Sequence, residues 1–465
     1  MTLIGLLGFA TVVLVAMFLL HGYLWWRMVR STTRPGRARQ GPTALTVVLA
    51  LLPALAIGLR SSLPRHVAAP LDWVAYSWLG IAFYAFLALL VLEPVRLALG
   101  PWTRRGGERT ADVGDEEFSP SGARSRTTER RVEEVEPSGA RRAPRRLEDG
   151  APQDRGTAPG RGAVPEGGNV IAGNVIAGDV ATPSVPRRLF LARTLAVTAG
   201  AVALGTAGTG AYLANSAPVV RRVPITLPRL DPALDGLRIV TFSDAHLSAT
   251  YGGRRFERLV EIVNAQRPDV VAIVGDLVDG SVDELREDVA PLADLVSEQG
   301  VFFVTGNHEY FVDTRAWLRH LPTLGVDVLH NERVAIRRGT ASVDLAGIDD
   351  RTAAGSGVPG QGADLDAALD GRNDATPVVL LAHQPVMVEQ ARAAGVDLQL
   401  SGHTHGGQLW PFDYVIRLDQ PSVEGYSRHG DTQLYVTSGA GYWGPPMRVG
   451  ARPEVTVVEL RAPTR

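Results

Sequence analysis

Five times in its second half the chain ends a short apolar run with Asp, Asn or His. Leu237-Arg238-Ile239-Val240-Thr241-Phe242 runs into SDAHLS, which carries Asp244 and His246. Val270 to Val274 runs into GDLVD, with Asp276 and Asp279, and Val301 to Val304 into TGNHE, with Asn307, His308 and Glu309. Val378 to Leu381 leads to His383, and Leu398 to Leu400 leads into SGHTHGG, with His403 and His405. Such runs, rich in β-branched residues and closed by Gly or polar turns, predict strands. Polar residues at a strand's end project into the loop crevice where open α/β sheets hold ligands. One strand ending this way is an ordinary turn. Five in succession, with metal-type side chains at the same end of each, are not explained as solvated turns.

The sequence between these runs is globular. Arg254 to Gln266 predicts an amphipathic helix with Phe256, Leu259, Val260, Ile262 and Val263 inward; Asp283 to Glu298 predicts another, and Arg315 to Leu321 a third. Strands are expected at Val326–Leu329, Arg333–Ile336, Val343–Ala346, Gln433–Val436 and Glu454–Leu460, and a helix over Met387 to Ala394. This alternation supports a layered α/β domain with mixed sheets over residues 219–465. There are 0 cysteines, which excludes disulfides and thiolate metal sites, and a net charge of −2 leaves no basic surface for nucleic acid.

The first hundred residues read differently. Leu3 to Trp26, Ala44 to Leu59 and Trp73 to Leu92 are apolar, the first and last of spanning length and the second short and interrupted by Pro53. Residues 1–99 are therefore expected to form a three-span, all-α transmembrane region. Arg27, Arg30, Arg34, Arg37 and Arg39 crowd the first loop, against Arg60 and Arg65 in the second, while Arg96, Arg104, Arg105 and Arg109 follow the third run. The positive-inside rule then puts the N-terminus outside. Residues 100–186 have no hydrophobic periodicity and are dense in Gly, Pro, Arg and Glu, which predicts a disordered cytoplasmic linker; it holds a short repeat from Gly168 to Ala181. Arg187-Arg188-Leu189-Phe190-Leu191 and the apolar run Thr194 to Leu213 read as a twin-arginine-like signal or as a plain fourth transmembrane segment over 187–217. Either way the chain emerges outside near Asn215, and the globular half is extracytoplasmic.

D-x-H, G-D-x-x-D, G-N-H-E, a lone His and G-H-x-H in this order resemble the calcineurin-like metallophosphoesterase superfamily, and GHTHGGQ resembles its bacterial, membrane-associated branch. The resemblance covers about Pro224 to Leu460. It implies a four-layer β-sandwich flanked by helices, and two divalent cations, manganese, iron or zinc, on nitrogen and oxygen ligands. It assigns Asp244, His246, Asp276 and His405 to the first metal, and the bridging Asp276 with Asn307, His383 and His403 to the second. A hydroxide between the metals would attack phosphorus in line. His308 is implied as general acid toward the leaving oxygen, with Asp279 orienting its imidazole; the competing reading of Asp279 is a cap for a helix starting near Val282. Asp349, Asp350 and Arg351 and the segment Tyr442 to Arg448 read either as ordinary loop packing, the favoured reading, or as lining of the substrate groove with Arg448 meeting phosphate. The expected activity is hydrolysis of a phosphodiester or phosphomonoester, of lipid or cell-wall origin or a secreted nucleotide, by a protein anchored in the lipid bilayer. The reading it competes with is a non-catalytic module that binds a phosphorylated ligand or acts as a scaffold.

Overall fold

Strand periodicity decides the architecture. In the computed structural model, which describes residues 3–59, 62–103 and 186–464, the strands form two six-stranded sheets. One has the order β1 (Val219–Thr226), β12 (Glu454–Arg461), β2 (Arg238–Phe242), β3 (Val270–Val274), β4 (Val301–Val304), β5 (Asp327–Val328). The other has the order β10 (Gly425–His429), β11 (Thr432–Val436), β9 (Leu398–Ser401), β8 (Val378–Leu381), β7 (Ala341–Gly347), β6 (Glu332–Arg338). Strands β2 to β5 are mutually parallel, and so are β7, β8, β9 and β11. Parallel pairing puts the C-terminal ends of the five sequence-marked strands on common sheet edges.

Alternate residues of each strand serve different layers. Ile239, Val270, Ala272, Val274, Phe302 and Val304 face the second sheet's Val343, Leu345, Val379, Leu381, Leu398 and Leu400. Val240, Phe242, Val271, Ile273, Val301 and Phe303 face the other way, onto helices α5 (Arg254–Ala265), α6 (Val282–Val289) and α7 (Thr314–His320). Beyond the second sheet, Ala346, Val378 and Leu380 pack on α8 (Leu365–Leu369) and α9 (Val388–Ala393). Burying each large apolar side chain contributes roughly 1.5–3 kcal/mol. The result is helices, sheet, sheet, helices, as the sequence resemblance implies.

Two local expectations need correction. The helix expected over Asp283 to Glu298 stops at Val289, and a 3-10 turn, Ala290–Asp294, follows, because Pro291 has no N–H to continue the α pattern. Its start is capped by Ser281 and Glu284 in a reciprocal capping box, so Asp279 is not the cap. Strands β1 and β10 have no counterpart in the sequence reading. Both lie at sheet edges, where half-polar strands such as VVRRVPIT carry no clean alternation.

The N-terminal part supplies helices α1 (Leu3–Leu24, continuing as a π-helical turn, Trp25–Arg30), α2 (Arg37–Leu59) and α3 (Arg65–Ala98), joined by α4 (Arg187–Ala214). These four are long and apolar enough to cross a membrane, by length and composition. Helix α2 starts at Arg37, earlier than the apolar run, and contains Pro42 and Pro53 without ending at either. Ala199, Ala203 and Ala207 form a stripe of small residues on α4 that lets it pack closely with Ala82, Ala85 and Leu89 of α3. Of the linker expected over 100–186, all but the ends, the Gly168–Ala181 repeat included, lies outside the described residues.

The two ends of this bundle differ. Toward one, Arg27 pairs with Glu93 at 2.9 Å and Arg193 Nε donates to the Thr32 carbonyl. Toward the other, the helices meet the sandwich. Arg65 pairs with Asp288 at 2.5 Å, the Arg448 N–H donates to the Gly210 carbonyl, and Tyr84 Oη donates to the Trp410 carbonyl at 3.1 Å. Met447 is buried among the helices, with its Sδ against Gly80 where any Cβ would collide. A Cβ on Gly210 would lie 2.8 Å from Val449 Cγ2. Bundle and sandwich form one compact unit.

Candidate metal centre

The loops after β2 and β3 continue to pair after the strands end. Asp244 N–H donates to the Gly275 carbonyl, His246 N–H to that of Asp276, and Asp279 N–H to that of Leu247, each at about 3 Å. This brings Asp244, His246, Asp276 and Asp279 side by side on a fixed frame. Gly402 N–H donates to the His383 carbonyl, which joins the loops after β8 and β9 in the same way. Gly306 and Gly402 sit where no side chain fits: a Cβ would collide with Asp276 at the first and with Ser243 and Asp244 at the second.

Backbone strain is concentrated here. Asp244 (φ 53°), His246 (47°), Asp276 (51°), His403 (73°) and His405 (51°) all adopt the left-handed conformation, which costs a residue with a Cβ about 1–2 kcal/mol. Unfavourable conformations of this kind persist where the surroundings over-determine them, and they gather at functional sites.

Side chains converge accordingly. Asp244, His246 and His405 place ligand atoms within 4.8 Å of one another, and so do Asp276, His383 and His403. Asp276 Oδ2 lies between the groups, 3.7 Å from His246 Nε2 and 3.2 Å from His383 Nε2. His246 Nε2 and His405 Nε2 are 3.0 Å apart. Buried among them, Asn307 Oδ1 has no hydrogen-bond partner, and His383 Nε2 faces the Asp276 carboxylate. An unpaired buried acceptor costs about 1–3 kcal/mol, so a nitrogen- and oxygen-lined pocket with the orphaned Asn307 oxygen fits a divalent cation.

Asp279 takes two imidazoles on one oxygen, with His246 Nδ1 at 2.9 Å and His308 Nδ1 at 2.7 Å from its Oδ1. Burial pushes its carboxyl up, but the charge and hydrogen bonds of these two histidines hold it far below the usual carboxylate range. His308 shows the reciprocal effect. Burial pulls it down, while Asp276 and Asp279 outweigh this and raise it to about 9. Asp276, against its own burial, is held well below the usual range by His383 and His308. Burial and His383 lower His403 to about 4; burial, His246 and Arg448 hold His405 well below the usual histidine range. These two rings are neutral and offer lone pairs.

Two residues support the site from outside the candidate ligand set, one of them in a place that sequence reasoning missed. Glu309 accepts N–H bonds from Asp276, Leu277, Val278 and Gly306 at 2.6–3.3 Å, and so fastens the Asn307 loop to the Asp276 loop. Burial and the Asp276 charge push Glu309 up to about 7 against the pull of those amides. Arg448, which meets phosphate in the groove reading, is instead 0% exposed. Its guanidinium donates to the carbonyls of His405, Ser438, Gly439 and Gly441 and lies 3.1 Å from His405 Nδ1. It turns inward because only there do enough acceptors meet a buried guanidinium. Asp349 and Asp350 are also buried, bound to His330 and to Gln384 and Thr352, so they brace loops and do not line a groove. Of the segment Tyr442 to Arg448, Trp443 stands at the site, its ring 5.5 Å from that of His308.

Comparison with known proteins bears on the same residues. A calcineurin-like phosphoesterase family model matches residues 237–407, which contain every candidate ligand. The chain is similar to a transmembrane protein with metallophosphoesterase domain from Danio rerio, 42% identical over 258 residues, 54% of this chain and 59% of that protein. Its Bos taurus counterpart is 40% identical over 286 residues, 59% of this chain and 64% of that protein. These matches thus span about three-fifths of the vertebrate relatives' length. An uncharacterized metallophosphoesterase of Helicobacter pylori is 38% identical over 259 residues, 55% of this chain and 68% of that protein. The chain belongs to the metallophosphoesterase family. The family uses divalent metals, and as a metallophosphoesterase the chain presents its Asp, Asn and His side chains in a setting that suits them.

Proposed function

We propose that this metallophosphoesterase is a membrane-anchored phosphohydrolase of the bacterial, membrane-associated branch, acting on phosphodiesters or phosphomonoesters outside the cytoplasm. The observation that carries the reading is the convergence of Asp244, His246, Asp276, Asn307, His383, His403 and His405, with Asn307 Oδ1 buried and unpartnered. Asp244, His246, Asp276 and His405 would hold one cation, and Asp276, Asn307, His383 and His403 a second. Manganese, iron and zinc all suit this donor set. Such cations supply a nucleophile at neutral pH and offset charge on the phosphoryl oxygens.

The rest is done by this chain. Asp279 fixes the tautomers of His246 and His308 by accepting at Nδ1 of both rings. His246 is left with a lone pair at Nε2. His308, charged, carries a proton at Nε2 that passes to the departing oxygen as its bond to phosphorus breaks. The arginine-rich end of the bundle lies opposite the sandwich along α4, from Arg193 to Gly210, which supports a cytoplasmic N-terminal end for that helix and an outward-facing site. In this arrangement residues 1–99 and 187–217 lie in the membrane, 100–186 in the cytoplasm and 219–465 outside. The packing of Gly210 on Val449 supports a retained fourth span in place of a cleaved signal.

The test uses the full chain in detergent, stripped by chelator and restored with manganese, iron or zinc, on chromogenic phosphodiesters and phosphomonoesters. Activity is expected to return with metal, to vanish in Asp276→Asn, and to fall about 10²–10⁴-fold in His308→Ala. Absence of metal binding refutes the site; metal binding without hydrolysis of any ester leaves a phosphate-binding module.

A further inference from the structure

The sandwich carries an exposed apolar shoulder on the side where it meets the helices. It runs from Trp410 through Phe412, Tyr414 and Val415 to Leu418, all at least half exposed and Leu418 86% exposed. Soluble surfaces rarely expose so many large side chains within nine residues, and such patches mark contact with membrane or partner. The shoulder is not free to move away from the bundle, since the Trp410 carbonyl accepts from Tyr84 of α3 and Leu409 packs into the helix cluster.

Its depth follows from the contacts. The sandwich touches α3 at Arg65, Gly80 and Tyr84, and of these the Tyr84 contact lies nearest the end where Glu93 pairs with Arg27 and Arg96. Tyr84 precedes Glu93 by nine residues, about 14 Å along a helix. With that charged cluster at one face of a hydrocarbon layer roughly 30 Å thick, Trp410 and its neighbours fall inside the layer or at its boundary. Aromatic side chains favour such positions.

The shoulder is also tied to the reacting end of the site. Gln408 exchanges hydrogen bonds with the Trp443 backbone, and the exposed rings of Trp443 and Phe311 stand 5.5 and 5.2 Å from that of His308. Gln408, two residues before Trp410, thus ties the backbone beside the His308 aromatics to the start of the shoulder.

We infer that the substrate is an amphiphilic phosphoester whose hydrocarbon tail stays in the bilayer against Trp410, Phe412 and Leu418, while its phosphate reaches the metal centre past Trp443 and Phe311. This rests on the phosphoesterase reading above and narrows it. Ordinary phospholipids and isoprenoid-linked phosphates share this chemistry.

The experiment compares substrates with one head group and different tails. Full-length, metal-loaded protein in mixed micelles is given dioleoyl and dibutyryl forms of phosphatidic acid and phosphatidylglycerol, polyisoprenyl phosphate, and a soluble chromogenic ester. Expected is a kcat/KM at least ten-fold higher for a long-chain substrate than for its short-chain or soluble counterpart, and a long-to-short ratio that falls at least ten-fold in Leu418→Ser and in Phe412→Ser. Whether dioleoyl or isoprenoid substrate leads identifies the source. A readout without turnover is quenching by bromolipids of the emission lost in Trp410→Phe, expected in vesicles of phosphatidylglycerol and phosphatidylethanolamine. Equal rates on long and short chains, an unchanged ratio in both variants, or no quenching overturns the inference while the phosphoesterase reading stands. Hydrolysis of no ester at all overturns that reading and this one with it.

Discussion

Glu309 shows how a side chain outside the candidate ligand set can fix the spacing of the loops that carry it. Four backbone N–H groups from two ligand loops point at its carboxylate, and the Asp276 charge beside it opposes ionisation. A cation held by Asp276 would offset that charge and so strengthen the four bonds. Glu309→Gln keeps the volume but turns an NH₂ toward amide donors, at a cost of about 1–3 kcal/mol. The expected outcome is a metal affinity about ten-fold or more lower, read by calorimetry, and a smaller rise of Tm on adding manganese. An unchanged rise would show that Glu309 only fills space. The candidate ligands were legible because each follows closely on an apolar run and the i, i+2 spacing repeats. Glu309 stands in the same GNHE run and reads as structural, but Arg448 carried no such mark of its place. Whether a side chain beyond a turn points inward depends on which carbonyls the rest of the fold brings to it, and for Arg448 these come from residues 405 and 438–441.

At the level of elements, the sequence pattern was strongest where one face of a strand or helix is buried, as in β2, β3, β4, β8 and β9. It was weakest for the edge strands β1 and β10 and for the abrupt end of α6 at Val289. The docking of α3 and α4 onto the segment Met447–Val449 was also unreadable, since a glycine in an apolar helix does not announce what approaches it. Yet this contact holds Met447 between helices while its neighbour Arg448 backs His405. Gly80→Leu and Gly210→Leu each force the helices off that segment. Both are expected to lower Tm and to weaken metal binding several-fold, whereas Gly208→Leu, with open space at its Cβ, leaves both unchanged. Loss of stability with metal affinity intact would separate the bundle from the site. The same contact argues for assaying the whole chain over residues 219–465 alone.

Across the whole molecule, α3 and α4 are adjacent in space although a long stretch of sequence separates them. The Arg187 guanidinium lies 5.1 Å over the Trp102 ring, so the chain leaves the bundle and re-enters it at one corner. Closing a loop there costs little more for many residues than for few, since the entropy grows only with the logarithm of length. Replacing residues 104–186 by a short Gly-Ser linker is therefore expected to leave Tm within a few degrees and the metal-restored turnover intact, measured in the same detergent; a collapse of either would mean that the stretch is part of the fold. The shared corner has a mechanical meaning as well. Tension on residues 104–186, whatever draws on them, is delivered to Trp102 and Arg187 together, and two forces applied at nearly one point have almost no lever arm with which to pry one helix from the other.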